Sequence, residues 1–115
     1  MHVAASDRAL PENGEVTLES GLTYDGITPV LVRVSKRDRR YKVTDDGQAV
    51  SAAGAARLRA AFPEQIAFGE LSVNVSRQGV VWLPAVGPSE EWLNTICTLV
   101  ARASIALYEQ LLETE

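Results

Sequence analysis

Histidine and cysteine are nearly missing from this chain, which holds one of each, His2 and Cys97, in 115 residues. A lone thiol excludes a disulfide framework within the monomer, and a reducing cytoplasm is the compartment that fits. Without a histidine beyond His2, which sits in a polar stretch of no period, no general base is at hand for a nucleophile. Cys97 falls inside an apolar helical pattern and reads as a core thiol. No catalytic residue, metal or cofactor is expected.

Aromatic residues are also scarce, at 6% of the chain. Single-strand nucleic-acid binding wants aromatics interleaved with cations. The most basic stretch offers only Tyr41, which alternation turns inward. Long apolar runs are absent as well. The most apolar segment, 92–112, contains Asn94, Arg102, Glu109 and Gln110 and is too polar to span a bilayer. Residues 1–10 lack both the basic start and the apolar core of a secretory leader. The expectation is a soluble, cytoplasmic protein with no membrane partner. A net charge of −4 argues against nucleic acid covering the whole surface, yet leaves a local patch open.

What remains is ordinary for a globular domain: 46% hydrophobic and 23% charged residues. A chain of this length buries a core without staples. Residues 1–14, with Pro11 and Gly14, read as a mobile arm, and 15–115 as one α+β domain. Val16 and Leu18 alternate with Thr17 and Glu19 in a short strand. Residues 21–26 read as a connection or bulge that ends in the turn pair Asp25-Gly26. Val30, Val32 and Val34 share one face of a strand whose other face carries Leu31, Arg33 and Ser35. After a charged turn at 36–39, Tyr41 and Val43 continue the inner face. The simplest hairpin sets Val34 opposite Tyr41, Val32 opposite Val43, Arg33 opposite Lys42 and Ser35 opposite Arg40.

That hairpin ends in Thr44-Asp45-Asp46-Gly47. Asp45 or Asp46 is placed to cap a helix, and with Asp45 as the cap Gln48 falls at the capping-box position. Val50, Gly54, Leu58, Ala61 and Phe62 form a helical stripe in the Ala-rich stretch 48–62, stopped by Pro63. Gly54 either lets this helix approach the sheet closely or breaks it in two. Leu71, Val73 and Val75, a turn at Gly79, and 80–85 make a second hairpin that pairs Val73 with Leu83 and Val75 with Val81. Trp82 and Val80 then face the opposite side. Gly87-Pro88-Ser89-Glu90-Glu91 starts a long C-terminal helix. Its stripe is Leu93, Ile96, Val100, Ala103, Leu107 and Leu111, widened by Trp92, Cys97 and Leu99, with Ile105 on the polar side. The fold class is thus α+β: an antiparallel sheet of four to five strands, built from two hairpins and packed against an Ala-rich helix and a long C-terminal helix.

The chain sets out in order the Thr28-Pro29 strand start, the Thr44-Asp45-Asp46-Gly47 corner, the helix after it, Phe68-Gly69, the second hairpin and the final helix, and the corner is the distinctive part. That order resembles a family of small bacterial and phage-borne proteins of unknown function. The resemblance covers roughly three-quarters of the chain. It implies this fold and an accessory role in a mobile-element or defence system, and it carries no biochemical activity.

Two clusters remain to be weighed. Asp45 and Asp46 are adjacent carboxylates fixed by a turn, with Asp25 or Glu70 as a distant partner for a cation or for acid–base work. A hard cation wants about six oxygen ligands, and the competing reading is cap plus turn. Arg33, Lys36, Arg37, Arg39, Arg40 and Lys42 gather six of the eleven Lys and Arg on the 33–42 hairpin of an acidic protein. The bland reading is a charged hairpin guarding a sheet edge. The functional ones are a contact with a protein partner or a second copy, or a β-ribbon on nucleic acid. Trp82, Trp92 and Ile105 are core or interface, and a homodimer through them is expected. The expectation for function is a non-catalytic interaction or adaptor protein. The alternatives are a nucleic-acid-binding regulator using the 33–42 hairpin and an acidic secretion-chaperone-like client binder.

Overall fold

The computed structural model describes residues 13–38, 40–54, 62–86 and 90–113, without the side chains of 85–86 and 90–93. The chain runs β1 (Glu15–Thr23), β2 (Pro29–Arg37), β3 (Arg40–Thr44), α1 (Gln48–Ala52), β4 (Gln65–Phe68), β5 (Leu71–Val75), β6 (Val81–Val86) and α2 (Glu90–Glu113). The strands form one antiparallel sheet of six in the order β1-β2-β3-β6-β5-β4. Two three-strand meanders thus meet along a β3–β6 seam. The fold is α+β as expected, with six strands rather than four to five. The extra strand is β4, too short to show a period.

The inner face of the sheet is a bed of valines. Val30, Val32 and Val34 on β2, Val43 on β3, Val73 on β5 and Val81 on β6 are fully buried. Compact β-branched residues suit the pleat and leave a level surface for a helix. α2 fills it with Ile96, Cys97, Val100, Ala103, Leu107 and Leu111, all buried at spacings of three and four. Each large side chain taken from water there contributes about 2 kcal/mol. Ile105, expected on the polar side of α2, is half-buried and packs against this core. α2 has small residues at Ala101 and Ser104, both fully buried, so the core side of the helix is wide enough to take Ile105 in.

The first hairpin departs from the expected register by two residues. Val34 pairs with Val43, Arg33 with Thr44, Ser35 with Lys42, Lys36 with Tyr41 and Arg37 with Arg40. The charged residues 36–37 extend the strand instead of turning, and Asp38 takes a left-handed conformation (φ 54°) at the tip. The link between the paired Arg37 and Arg40 is thus two residues long. Because the slip is two, every side chain keeps its face. The second hairpin sets Val75 opposite Val81 and Asn74 opposite Trp82, the register expected for it.

β1 is longer than expected and runs through the 21–23 connection, with a bulge between Glu19 and Thr23. Gly21 (φ 80°) supplies the backbone freedom that the bulge needs. Most of the expected N-terminal arm lies outside the described residues. Its end is not loose: the Asn13 N–H donates to the Lys36 carbonyl at 2.8 Å and the Lys36 N–H to the Gly14 carbonyl at 3.0 Å. The helix expected over 48–62 is a five-residue α1, closed by Gly54 at φ 66°. Residues 55–61 lie outside the described part.

Candidate functional site

The Thr44-Asp45-Asp46-Gly47 corner is a fastening at the end of the β3–β6 seam. Thr44 Oγ1 donates to the Val81 carbonyl at 2.8 Å and accepts the Asp46 N–H at 3.0 Å. The Asp45 N–H also donates to the Val81 carbonyl. Asp45 is 2% exposed, and its carboxylate accepts from four donors. Oδ1 takes the N–H of Gly47 and of Val81, both at 2.9 Å. Oδ2 takes the Ala49 N–H at 3.3 Å and the Ser104 hydroxyl at 2.7 Å. One side chain thereby ties β3, α1, β6 and α2 together. Having given its hydrogen to Asp45, Ser104 accepts from the Tyr24 hydroxyl at 2.6 Å. The Tyr24 ring lies 5.1 Å from that of Tyr108. Burial pushes the Tyr24 phenol up to about 12, against a lowering by the Ser104 bond and with a further push from the Asp45 charge.

This geometry favours the turn reading of the aspartates and corrects the expected cap. Gly47 holds the N-cap position of α1 and makes no side-chain cap bond, while Asp45 reaches the Ala49 N–H from two residues upstream of Gly47, and no capping box forms. The Gln48 side chain goes elsewhere: its Oε1 accepts the Leu31 N–H and its Nε2 donates to the Pro29 carbonyl, each at 2.8 Å. β3 has ended by that level of β2, and the Gln48 carboxamide completes the ladder where no strand residue remains. Neither expected distant partner joins the aspartates. Asp25 is spent on its own turn, accepting from the N–H groups of Thr28 and Ile27 and from the Thr28 hydroxyl. Those N–H bonds, Thr28 first, hold its carboxyl below the usual range. Glu70 stands in the β4–β5 turn, at the far edge of the sheet. Among the described residues no group of three His, Cys, Asp or Glu is placed to hold a metal ion.

The six cations of the hairpin are divided by the pleat. Arg33, Arg37, Arg40 and Lys42 alternate onto the sheet face opposite α2, and Lys36 falls on the other face with its Nζ 5.8 Å from the Tyr41 ring centroid. Arg39 lies outside the described residues. Arg33 is already engaged, by Asp46 at 2.9 Å and Glu15 at 3.6 Å. Arg37, Arg40 and Lys42 are exposed. Pairing of β3 with β6 brings Trp82 among them: Thr44 lies opposite Trp82 and Lys42 opposite Pro84. The Lys42 ammonium stands 5.1 Å from the Trp82 ring centroid, within reach of a cation–π contact. Asn74 then pairs with Trp82, and Gln65 with Asn74. A cleft of about 410 Å³ opens over Ser35, Arg37, Arg40, Lys42, Trp82 and Pro84. A second, of about 560 Å³, lies over Gln65, Asn74, Arg77 and the same Trp82. No helix covers this face among the described residues.

Of the expected interface residues, Trp82 is therefore on the open face, Ile105 is half-buried against the core, and the Trp92 side chain is outside the described part. Cys97 is a buried thiol. Tyr24 and Ser104 were silent in the sequence, since neither stands in a motif. Trp82 was legible as outward-facing, but its meeting with Lys42 depends on a pairing between distant strands. None of the described helices is long and apolar enough to cross a membrane. Comparison with family models, curated proteins and solved structures finds no match of any kind.

Proposed function

We propose that this protein is a non-catalytic interaction module whose docking surface is the open face of the sheet, and that its partner is anionic. One observation carries the reading: Arg37, Arg40 and Lys42 are exposed beside Trp82 on the face that α2 leaves uncovered. A sheet face with no duty beyond solubility has little use for a tryptophan at its centre: Trp82 is only half-buried, with the Lys42 ammonium over its ring, and its remaining apolar surface is stabilising only when something covers it. A non-catalytic role is supported by the fate of the best acid–base candidates. Tyr24, Ser104 and Asp45 are buried in the fold and spend their hydrogen bonds on holding elements together.

The reading places the protein in the cytoplasm, where a lone thiol such as Cys97 stays reduced. With a net charge of −4, a second copy of the chain is itself an anionic partner, and a homodimer belongs to the same proposal. The test is site-specific photo-crosslinking in cells, with the crosslinker at Ser35 on the open face or at Arg102 on the exposed side of α2. Adducts are expected from Ser35 and not from Arg102. Adducts from Arg102 alone, or from neither position, refute an open-face docking surface.

A further inference from the structure

The open face has a layout that narrows the class of anion. Its central row crosses all six strands in register: Thr17, Arg33, Thr44, Trp82, Asn74 and Gln65. One pleat repeat away, Ser35, Lys42 and Pro84 form the next row, and Arg37 with Arg40 the one after. Rows on one face of a sheet are about 7 Å apart, so the exposed cations begin about 7 Å from the indole and end at about 14 Å. The indole itself borders both clefts, with Lys42, Arg40 and Arg37 in one, where Glu15 is held by Arg33, and Asn74, Gln65, Arg77 and Glu64 in the other. A ligand lying along the face passes over the ring.

We propose that the occupant is a single-stranded nucleic acid, with a base stacked on Trp82 and its phosphates on Lys42, Arg40 and Arg37. This inference rests on the open-face reading above and names its partner. Stacking on an aromatic is indifferent to sequence because every base has a π-face. The Lys42 ammonium now over the indole is a weaker occupant than a base, and its flexible stem lets it move from the ring to a phosphate. The carboxamides of Asn74 and Gln65, 3.4 Å apart on the far side of the ring, offer donors and acceptors to a base edge. An acidic peptide would use the three cations and leave the indole and both carboxamides unmatched. Peptides that dock on sheets also draw affinity from free backbone at an edge, whereas β3 and β6 are central strands with both ladders paired. Arg33 is left out of the phosphate count because Asp46 and Glu15 already hold it.

The experiment is fluorescence anisotropy of a labelled twelve-nucleotide oligo-dT titrated with the whole protein. Three phosphate contacts give a slope of about −2 in log affinity against log salt, about twentyfold weaker binding from 50 to 200 mM. Trp82→Ala weakens binding by about 5- to 150-fold, the range of one base stack. Trp82→Phe, which keeps a ring and guards against a folding defect, falls between. Arg37→Glu with Arg40→Glu abolishes binding, Arg102→Glu leaves it unchanged, and a duplex of the same sequence binds more weakly. No saturable binding overturns the inference. So does equal affinity of Trp82→Ala and wild type, or of duplex and single strand. If deca-glutamate binds and the oligonucleotide does not, the nucleic-acid inference fails while the docking reading stands. Failure of the docking reading itself is read from the Ser35 crosslinks.

Discussion

Replacing the Asp45 carboxylate separates its hydrogen bonds from its size and charge. In Asp45→Ala the N–H groups of Val81 and Ala49 and the Ser104 hydroxyl lose their acceptor in the interior. The Gly47 N–H, less deeply placed, is rescued by water. Each orphaned interior donor costs about 1–3 kcal/mol. Ser104 regains part of that by turning its hydrogen, so the expected loss is about 4 kcal/mol. A domain of this length has roughly 6–17 kcal/mol in total, so the change is large but survivable. Asp45→Asn is milder. Its carbonyl oxygen still accepts from Gly47 and Val81, and its amide donates to Ser104, which then donates to Tyr24. The polarity of the chain reverses, the Tyr24 hydrogen is left without its acceptor, and the Ala49 N–H meets a donor. Two lost bonds amount to about 2 kcal/mol. Urea unfolding followed by circular dichroism reads these losses as midpoint shifts at constant slope. Asp46→Asn is the control: its bond to Arg33 is at the surface and is worth at most about 1 kcal/mol. If Asp45→Asn costs no more than Asp46→Asn, or if Asp45→Ala is within about 0.5 kcal/mol of wild type, the fastening role is wrong.

Gly79 and Tyr24 give two further tests. Gly79 has φ +82°, and a Cβ there would overlap Val50 Cγ2 and come within 3.0 Å of Phe62 Cζ. Gly79→Ala is therefore expected to lose about 2–4 kcal/mol, left-handed strain plus overpacking, in a thermal melt. Gly26→Ala, with a similar φ of +86° and nothing near, loses only the strain of about 1 kcal/mol. Tyr24 keeps its proton to about 12 in the folded chain, whereas the unfolded phenol ionises near its ordinary value of about 10. Its contribution is therefore complete below pH 10 and is lost as pH rises to about 12. The stability difference between wild type and Tyr24→Phe should shrink over that window in urea melts at successive pH values. A constant difference refutes the burial of the phenol.

The sequence announces what is periodic and hides what is distant. Alternation at Val30, Val32 and Val34 and the three-and-four spacing from Ile96 to Leu111 are local, and both faces came out as read. The first hairpin slipped by two because a run of charges at 36–37 looks like a turn, yet those residues satisfy a ladder as well as any others. β4 escaped notice because four residues hold too little pattern. At Gln48 the capping-box spacing was present, but the carboxamide found a better partner in the unpaired backbone of β2. The open face could not be assembled from sequence at all, since Lys42 and Trp82 meet only through the β3–β6 pairing. Nothing local distinguishes Ser104 from any small residue that lets a helix sit close to a sheet.

The seam between the two meanders also governs how the chain reaches this state. Within each meander, neighbouring strands are joined by links of a few residues, so those pairs close small loops at little entropic cost. The seam instead joins Thr44 to Trp82, across α1 and the β4–β5 hairpin, and closing that span is the costly step for a chain of this topology. The two trios are positioned to form as separate units that zip together late. Thr44 and Asp45, whose bonds to Val81 form only as the seam closes, and Ser104, which reaches Asp45 only once α2 docks, act as the latch on that last closure. Losing the latch frees the native state to open sooner and does little to hinder its formation.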